Sequence, residues 1–440
     1  MTDVVISGSA VSNPPHVLTN EELVGAYNAY AEQFNAENAD AIEREEVKPV
    51  PTSSAEFIEK ASGIKQRYIY KKDGVLDVNR MRPIIPERGE DELSHQAEFA
   101  VNAARMALTD ANKSAKDIDA VIVSCAYTER SYPAIAIEVQ EALGVQGFGF
   151  DMLVACSAAT FALQRAYEMV KAGTAKAVLV INPELTSPQV NYKDRDGHFI
   201  FGDVSTAIVV ESKDTCRSEH SYDIMSTKAV TVYSNNIRSN FGYVMHATDA
   251  DPYGPDKLFH QNGRAVFKEV CPMAAQHISD HLAVHDLSAQ DLTRWWLHQA
   301  NINMNLLISK RLLGRDATLE EAPIVLDKYA NTASAGSIIA FSLNHKDLAP
   351  GSIGVICSFG AGYSIGSLVI RKNWHYASTS KWFLTIRIAW NIRTHQTAAI
   401  EIVRVWFFRV SLLLRLRLLT VSAGVPPRRE FLYGWFVLLH

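Results

Sequence analysis

Cys156 stands where an apolar run, Met152-Leu153-Val154-Ala155, meets the small residues Ser157-Ala158-Ala159-Thr160 that open a helical pattern. The start of a helix presents unpaired N–H groups and the positive end of the peptide dipoles, which favours thiolate over thiol and can hold a developing oxyanion. A lone cysteine at such a junction is more often a buried core residue than a nucleophile. Two further segments change that balance. His298 lies in Trp296-Leu297-His298-Gln299-Ala300-Asn301, between an apolar strand and a helical run over 302–313. Asn331 lies in Tyr329-Ala330-Asn331-Thr332-Ala333-Ser334-Ala335-Gly336-Ser337, ahead of a helix over 338–343. A turn asparagine can serve only its own left-handed conformation, but the small residues after it would then have no purpose. A third segment, Phe359-Gly360-Ala361-Gly362-Tyr363-Ser364-Ile365-Gly366, is a glycine-rich turn between apolar strands, where backbone N–H groups approach a ligand closely. A thiol, an imidazole, a carboxamide and backbone donors are the parts that acyl transfer through a thioester requires.

The elements that must position these groups follow from periodicity. Apolar β-branched runs over 120–124, 177–181 and 207–210 read as strands, with helical patterns over 97–111 and 157–171 between them. Runs of continuous apolar character imply a sheet covered on both faces. The grammar repeats with strands over 295–297, 353–357 and 367–370 and helices over 264–285 and 302–313, so the fold class is α/β, in two similar halves, 1–215 and 216–372. Two insertions interrupt the first half. Residues 21–46 read as a long polar helix with Tyr27, Tyr30 and Phe34 at helical spacing, within an insertion over 21–56, and residues 73–92 as a loop rich in Pro, Arg and acidic side chains. They are either a solvated hairpin or a cap over the substrate tunnel or a subunit seam.

Composition narrows the classes. With 440 residues, 48% hydrophobic content and a net charge of -5, the chain can bury a large core and has no basic excess for nucleic acid. The start, Met1-Thr2-Asp3-Val4-Val5-Ile6, carries no signal-peptide pattern. Five cysteines scattered at 125, 156, 216, 271 and 357 form neither a CxxC pair nor a disulfide framework, which suits a reducing cytoplasm.

The succession of Cys156, then His298 in His-Gln-Ala-Asn, then Asn331 in Asn-Thr-x-Ser, then the glycine-rich turn resembles the β-ketoacyl-acyl-carrier-protein (ACP) synthase III family of the thiolase-like superfamily, over residues 4–371. Within it, the chain is most similar to the longer branch that makes β-ketodecanoyl thioesters from medium-chain acyl-CoA. The stretch 191–203, with Asp194-Arg195-Asp196 and Phe201-Gly202-Asp203, fits the same pattern. The resemblance implies a duplicated five-layer α-β-α-β-α fold, and a decarboxylating Claisen condensation of an acyl-CoA with malonyl-ACP through acyl-Cys156. It also implies catalytic roles for His298 and Asn331, an oxyanion hole from the N–H groups of Cys156 and Ala361, and no metal or redox cofactor. Phe57, six residues before Gly63, and Arg195 match the pair that stacks on the CoA adenine, the first with phenylalanine in place of tryptophan, while Ala61 replaces a basic residue. Lys268, Lys310 and Arg311 match the basic surface for the acidic carrier protein, with Asn303 in place of an arginine. Ala361 stands where the family usually has glycine, and Tyr132, beside Pro133, matches the aromatic that lines the acyl pocket of the partner in a homodimer.

Alternatives remain open at this level. Another acyl-CoA condensing enzyme of the superfamily is one; a degradative thiolase is another, since Cys357 before the C-terminal glycine turn is the position of its acid/base cysteine, although Asn331 stands where a thiolase has histidine. A non-catalytic partner subunit of the superfamily would have lost the nucleophile. Residues 373–440 differ in kind, holding five of the seven tryptophans and nine Lys or Arg against two Glu without clear period. Their stretch over 402–419 carries Arg404, Arg409, Arg415 and Arg417, which a membrane-spanning helix tolerates poorly. This tail is expected to be poorly ordered and foreign to the enzyme, as from an out-of-frame or read-through sequence.

Overall fold

The computed structural model describes residues 2–251 and 254–374. The expectations for the tail beyond Trp374 lie outside the described residues. Nine strands form one sheet in the order Arg294–Leu297, Ile353–Gly360, Gly362–Lys372, Tyr222–Ser234, Val4–Ser12, Val204–Ser212, Ala177–Glu184, Ala120–Cys125 and Phe148–Leu153.

The duplication is visible in the pairing. In the first half Val4–Ser12 runs antiparallel to Val204–Ser212, which runs antiparallel to Ala177–Glu184, followed by the parallel strands Ala120–Cys125 and Phe148–Leu153. In the second half Tyr222–Ser234 runs antiparallel to Gly362–Lys372, then Ile353–Gly360 antiparallel and Arg294–Leu297 parallel. Where the first half ends in Phe148–Leu153, the second offers the Glu321 carbonyl, which accepts the Trp295 N–H at 2.7 Å. Val5↔Asp223 and Ile6↔Tyr222 join the halves edge to edge.

Side chains that alternate along each strand build the layers. Ala120 and Ile122 face the central helices Ala158–Lys171 and Gly336–Leu343, which also meet Trp296, Ile356 and Leu368 of the second half. Val121 and Val123 face the outer helices His95–Asp110 and Ile135–Leu143. On the opposite outer face Trp295, Leu297 and Val355 pack against Gly263–Ala283 and Ile302–Leu313. The result is the five-layer thiolase-like α/β arrangement. Among the described residues no helix is long and apolar enough to cross a membrane.

The first insertion is shorter in helix than its polarity suggests: Asn20–Glu37, opened by a capping box of Thr19 and Glu22, and then Ala39–Glu43. It does not float as a solvated hairpin. Leu18, Leu23, Tyr27, Ile58, Ile69, Val75 and Met81, the last two from the second insertion, pack with Val190, Phe199, Phe201, Leu326 and Ala330. At about 1.5–3 kcal/mol for each large apolar side chain removed from water, this docking dominates over surface solvation. Arg67, fully buried, ties the layers by donating to the carbonyls of Leu18 and Phe199 and to Asn20 Oδ1. The insertions thus pack against the segments that carry residues 199–201 and 326–330.

Candidate active site

The nucleophile candidate sits on a forced turn. Ala155 takes φ +45° and starts a single 3₁₀ turn, Ala155–Ser157, that feeds the helix Ala158–Lys171. Such a conformation is unfavourable for a residue with a side chain and marks a position held by its surroundings. The expected lowering of the Cys156 thiol is not what the surroundings produce. Burial pushes it up to about 12, with the negative charge of Glu184 acting in the same direction, while N–H bonds from Ala361 and from Cys156 itself pull the other way. The same two N–H groups are the nominated oxyanion donors. Ala361 keeps a backbone conformation open to any L-residue, so its methyl does not disturb the donor. The neighbouring glycine cannot be replaced: a Cβ on Gly360 would lie 2.5 Å from the Cβ of Cys156.

His298 follows the strand Arg294–Leu297 and continues its parallel ladder, its N–H donating to the Cys357 carbonyl at 2.8 Å. Its ring stands edge-on to Phe359, centroids 5.1 Å apart. Nδ1 is buried without a protein partner, and burial pulls the imidazole down to about 4, so it is neutral at physiological pH. Gln299 and Asn301 of the same motif are scaffolding. Gln299 bridges the Leu297 carbonyl and the Val325 N–H, and Asn301 caps the helix Ile302–Leu313 and donates to the Ala61 carbonyl.

Asn331 is clamped by its backbone between Ile200 and Gly202: its N–H donates to the Ile200 carbonyl and its carbonyl accepts the Gly202 N–H, each at 3.0 Å. A Cβ at Gly202 would meet the Tyr329 carbonyl at 2.4 Å, which accounts for glycine in Phe201-Gly202-Asp203. Asn331 Oδ1 accepts the Ala333 N–H at 3.0 Å, leaving the Nδ2 end as the donor. Cys156, His298, Asn331 and Gly360 border one cavity of about 260 Å³, otherwise walled mainly by apolar side chains, among them Phe199, Phe259, Phe267 and Met304.

At its mouth the cavity is bordered by Phe57 and Ala61. The Arg195 guanidinium lies 3.9 Å from the Phe57 ring centroid and donates to the Thr52 carbonyl. The two side chains are in direct contact with each other. Lys268 is exposed on Gly263–Ala283, and Lys310 and Arg311 on the neighbouring Ile302–Leu313, with Lys310 paired to Asp316. Tyr132 is 77% exposed and does not reach the cavity of its own chain. Cys357 is buried in the outer apolar layer, pushed up to about 12 by burial, and does not border the cavity. The apolar wall residues and Glu184 were not singled out from sequence. Glu184 had one signal, an acid three residues beyond the apolar run 177–181.

Residues 150–231 match the family model of 3-oxoacyl-[acyl-carrier-protein (ACP)] synthase III, and residues 282–372 that of its C-terminal part. The chain is 53% identical over 348 residues to the beta-ketodecanoyl-[acyl-carrier-protein] synthase of Pseudomonas aeruginosa, covering 79% of this chain and 99% of the relative. It is 30% identical over 373 residues to the beta-ketoacyl-[acyl-carrier-protein] synthase III of Granulibacter bethesdensis, covering 83% and 98%. The solved 3-oxoacyl-[acyl-carrier-protein] synthase III of Aquifex aeolicus shares the fold, with a TM-score of 0.65 at 23% identity over 84% of this chain and 99% of that one. Identity of this extent along almost the whole of a relative makes the chain a member of the β-ketoacyl-ACP synthase III family, the condensing acyltransferases of fatty-acid synthesis.

Proposed function

We propose that Cys156 takes an acyl group from a medium-chain acyl-CoA and passes it to the carbanion left when malonyl-ACP loses carbon dioxide, giving 3-oxoacyl-ACP. The observation that carries this reading is one cavity bordered by Cys156, His298, Asn331 and the side-chain-free edge of Gly360. In the first half-reaction the Cys156 sulfur attacks the thioester carbonyl, the Cys156 and Ala361 N–H groups hold the oxyanion, and CoA leaves as the thiol with the proton that Cys156 gives up. In the second, decarboxylation builds negative charge on the malonyl thioester oxygen, where a neutral His298 and the Nδ2 end of Asn331 donate. The carbanion then attacks acyl-Cys156, a carbon–carbon bond forms as the carbon–sulfur bond breaks, and Cys156 leaves as thiolate and takes up a proton from water.

The medium-chain preference is supported by the 53% identical relative, named for a β-ketodecanoyl product. Phe57 and Arg195 serve the nucleotide of CoA, and Lys268, Lys310 and Arg311 the acidic carrier protein. A homodimer is supported by the strand Phe148–Leu153, which ends the sheet with Phe148 and Leu153 exposed. Asp151 of that strand accepts the N–H groups of Ile135 and Ala136, which holds the Tyr132 loop beside the free edge. The substrates and the five unpaired cysteines suit the cytoplasm. The degradative thiolase reading loses its support with Cys357 away from the cavity. Intact mass after incubation with acyl-CoAs of increasing length tests the proposal: an acyl adduct on Cys156, discharged by malonyl-ACP, is expected, and its absence with every acyl-CoA overturns it.

A further inference from the structure

The duplicated fold contains a second copy of the nucleophile turn. Ala333 takes φ +46° and opens the 3₁₀ turn Ala333–Ala335 ahead of the helix Gly336–Leu343, as Ala155, at +45°, opens Ala155–Ser157 ahead of Ala158–Lys171. Ser334 is therefore the counterpart of Cys156. The strand registers extend the equivalence. Ala177–Glu184 pairs from Ala177↔Glu211 to Glu184↔Val204, and Ile353–Gly360 from Ile353↔Arg371 to Gly360↔Ser364, so Glu184 is the counterpart of Gly360. Beside Cys156 the strand ends without a side chain and leaves the cavity open. Beside Ser334 it ends in a carboxylate that fills the equivalent space.

That carboxylate is held at the second turn as an anion is held at the first. Glu184 Oε1 accepts the Ser334 N–H at 3.1 Å and the Ser334 hydroxyl, and the Ala126 N–H lies 3.1 Å from Oε2. Ser334 and Glu184 are buried. Burial pushes Glu184 up to about 7 in spite of these donors, and the neighbouring charge of Asp203 is like-signed. A buried carboxylate without a cation is costly, and an apolar side chain would pack here without that cost. The turn that it grips carries Asn331, whose Oδ1 is spent on the Ala333 N–H one residue before Ser334.

Building on the proposed function, we propose that Glu184 is a positioning residue for the decarboxylation step: it takes the anion position of the second turn and so fixes Asn331 with its Nδ2 end toward the malonyl thioester. Its action is on Asn331, and it touches no substrate. Glu184→Gln puts an amide donor against the N–H of Ala126 or Ser334, and Ser334→Ala removes only the hydroxyl donor.

The test measures the two half-reactions separately: acylation of Cys156 by intact mass against time, and carbon dioxide release from malonyl-ACP. In Glu184→Gln, acylation is expected to stay within about twofold of wild type, while kcat for decarboxylation falls about tenfold or more with KM for malonyl-ACP held, part of the 10²–10³ that loss of an oxyanion donor costs. Ser334→Ala, which retains the carboxylate and the N–H, is expected to show the same selective loss in smaller degree, and it decides the matter if Glu184→Gln does not fold. Equal loss in both half-reactions, or no loss of decarboxylation, overturns the proposal. A wild-type enzyme that acylates no residue overturns the proposed function instead, so the two failures are distinguishable.

Discussion

At the scale of single residues, the proposed mechanism separates two kinds of charge stabilisation, and substitutions should separate with them. Cys156→Ala is expected to abolish acyl transfer while leaving malonyl decarboxylation measurable. His298→Ala and Asn331→Ala should still accept the acyl group and lose condensation by about 10²–10³, since each removes one donor to the enolate. Radiolabelled acyl trapping beside a condensation assay checks this; a Cys156→Ala enzyme that condenses at the wild-type rate would show the nucleophile to be another group. The resting protonation states give a pH signature. With the Cys156 thiol pushed up to about 12, alkylation of free enzyme by iodoacetamide should keep rising through pH 9, and a plateau below pH 8 would contradict the buried-thiol environment. With His298 pulled down to about 4, decarboxylation should lose no activity on the acid side near pH 6.5, because the donor is already neutral there.

At the scale of elements, one helix carries a titration of its own. On Gly263–Ala283, His277 Nε2 and His281 Nδ1 both meet Ser367 Oγ, and Ser226 Oγ meets His281 Nε2 and His285 Nε2, a chain of hydrogen bonds between that helix and the sheet. Burial pulls His277 and His281 down to about 4, below the ordinary value near 6.5, so the unfolded chain binds more protons between those limits. Stability from these two groups is therefore complete above about pH 6.5 and lost as pH falls toward 4, at up to about 1.4 kcal/mol per pH unit for each. Melting temperature followed from pH 7 to pH 4 should fall less steeply in the variant carrying both His277→Gln and His281→Gln; an unchanged slope would remove the assignment. Sequence pattern located most of these elements because apolar period is local: the helix Ile302–Leu313 agrees at both ends, and the strand Ala120–Cys125 within a residue. It did not find Tyr222–Ser234, whose polar Ser226, Thr227 and Lys228 interrupt any apolar run, although pairing with Gly362–Lys372 makes it a central strand. Cys156, His298 and Asn331, which border one cavity, could be picked out from sequence because each lies in a short motif. Glu184 was not, because its partner Ser334 lies 150 residues away and only the fold brings them together.

At the scale of the molecule, the described fold closes before the tail begins. The last strand, Gly362–Lys372, is paired on both sides, and Asn373 fixes its end by donating its N–H to the Ser221 carbonyl at 3.0 Å. The family match also ends at residue 372. A truncation after Asn373 is therefore expected to retain condensation and to melt within a few degrees of the full chain, and loss of either would assign the tail a role. The assembly is the second question of scale. An apolar strand edge is an invitation to pair, and Tyr132 projects 77% exposed from the loop that Asp151 anchors to the edge strand Phe148–Leu153. Closed two-fold pairing across that edge would carry Tyr132 from one protomer toward the acyl pocket of the other. Light scattering at micromolar concentration should give a dimer, and Tyr132→Ala should shift the preferred acyl-CoA toward longer chains. Mixed dimers decide whose pocket Tyr132 serves. When a Cys156→Ala protomer with intact Tyr132 is paired with a Tyr132→Ala protomer, the working Cys156 faces an intact Tyr132 only if that residue crosses the interface. The mixed dimer should then show the wild-type chain-length profile, whereas the profile of Tyr132→Ala would mean that Tyr132 acts within its own chain.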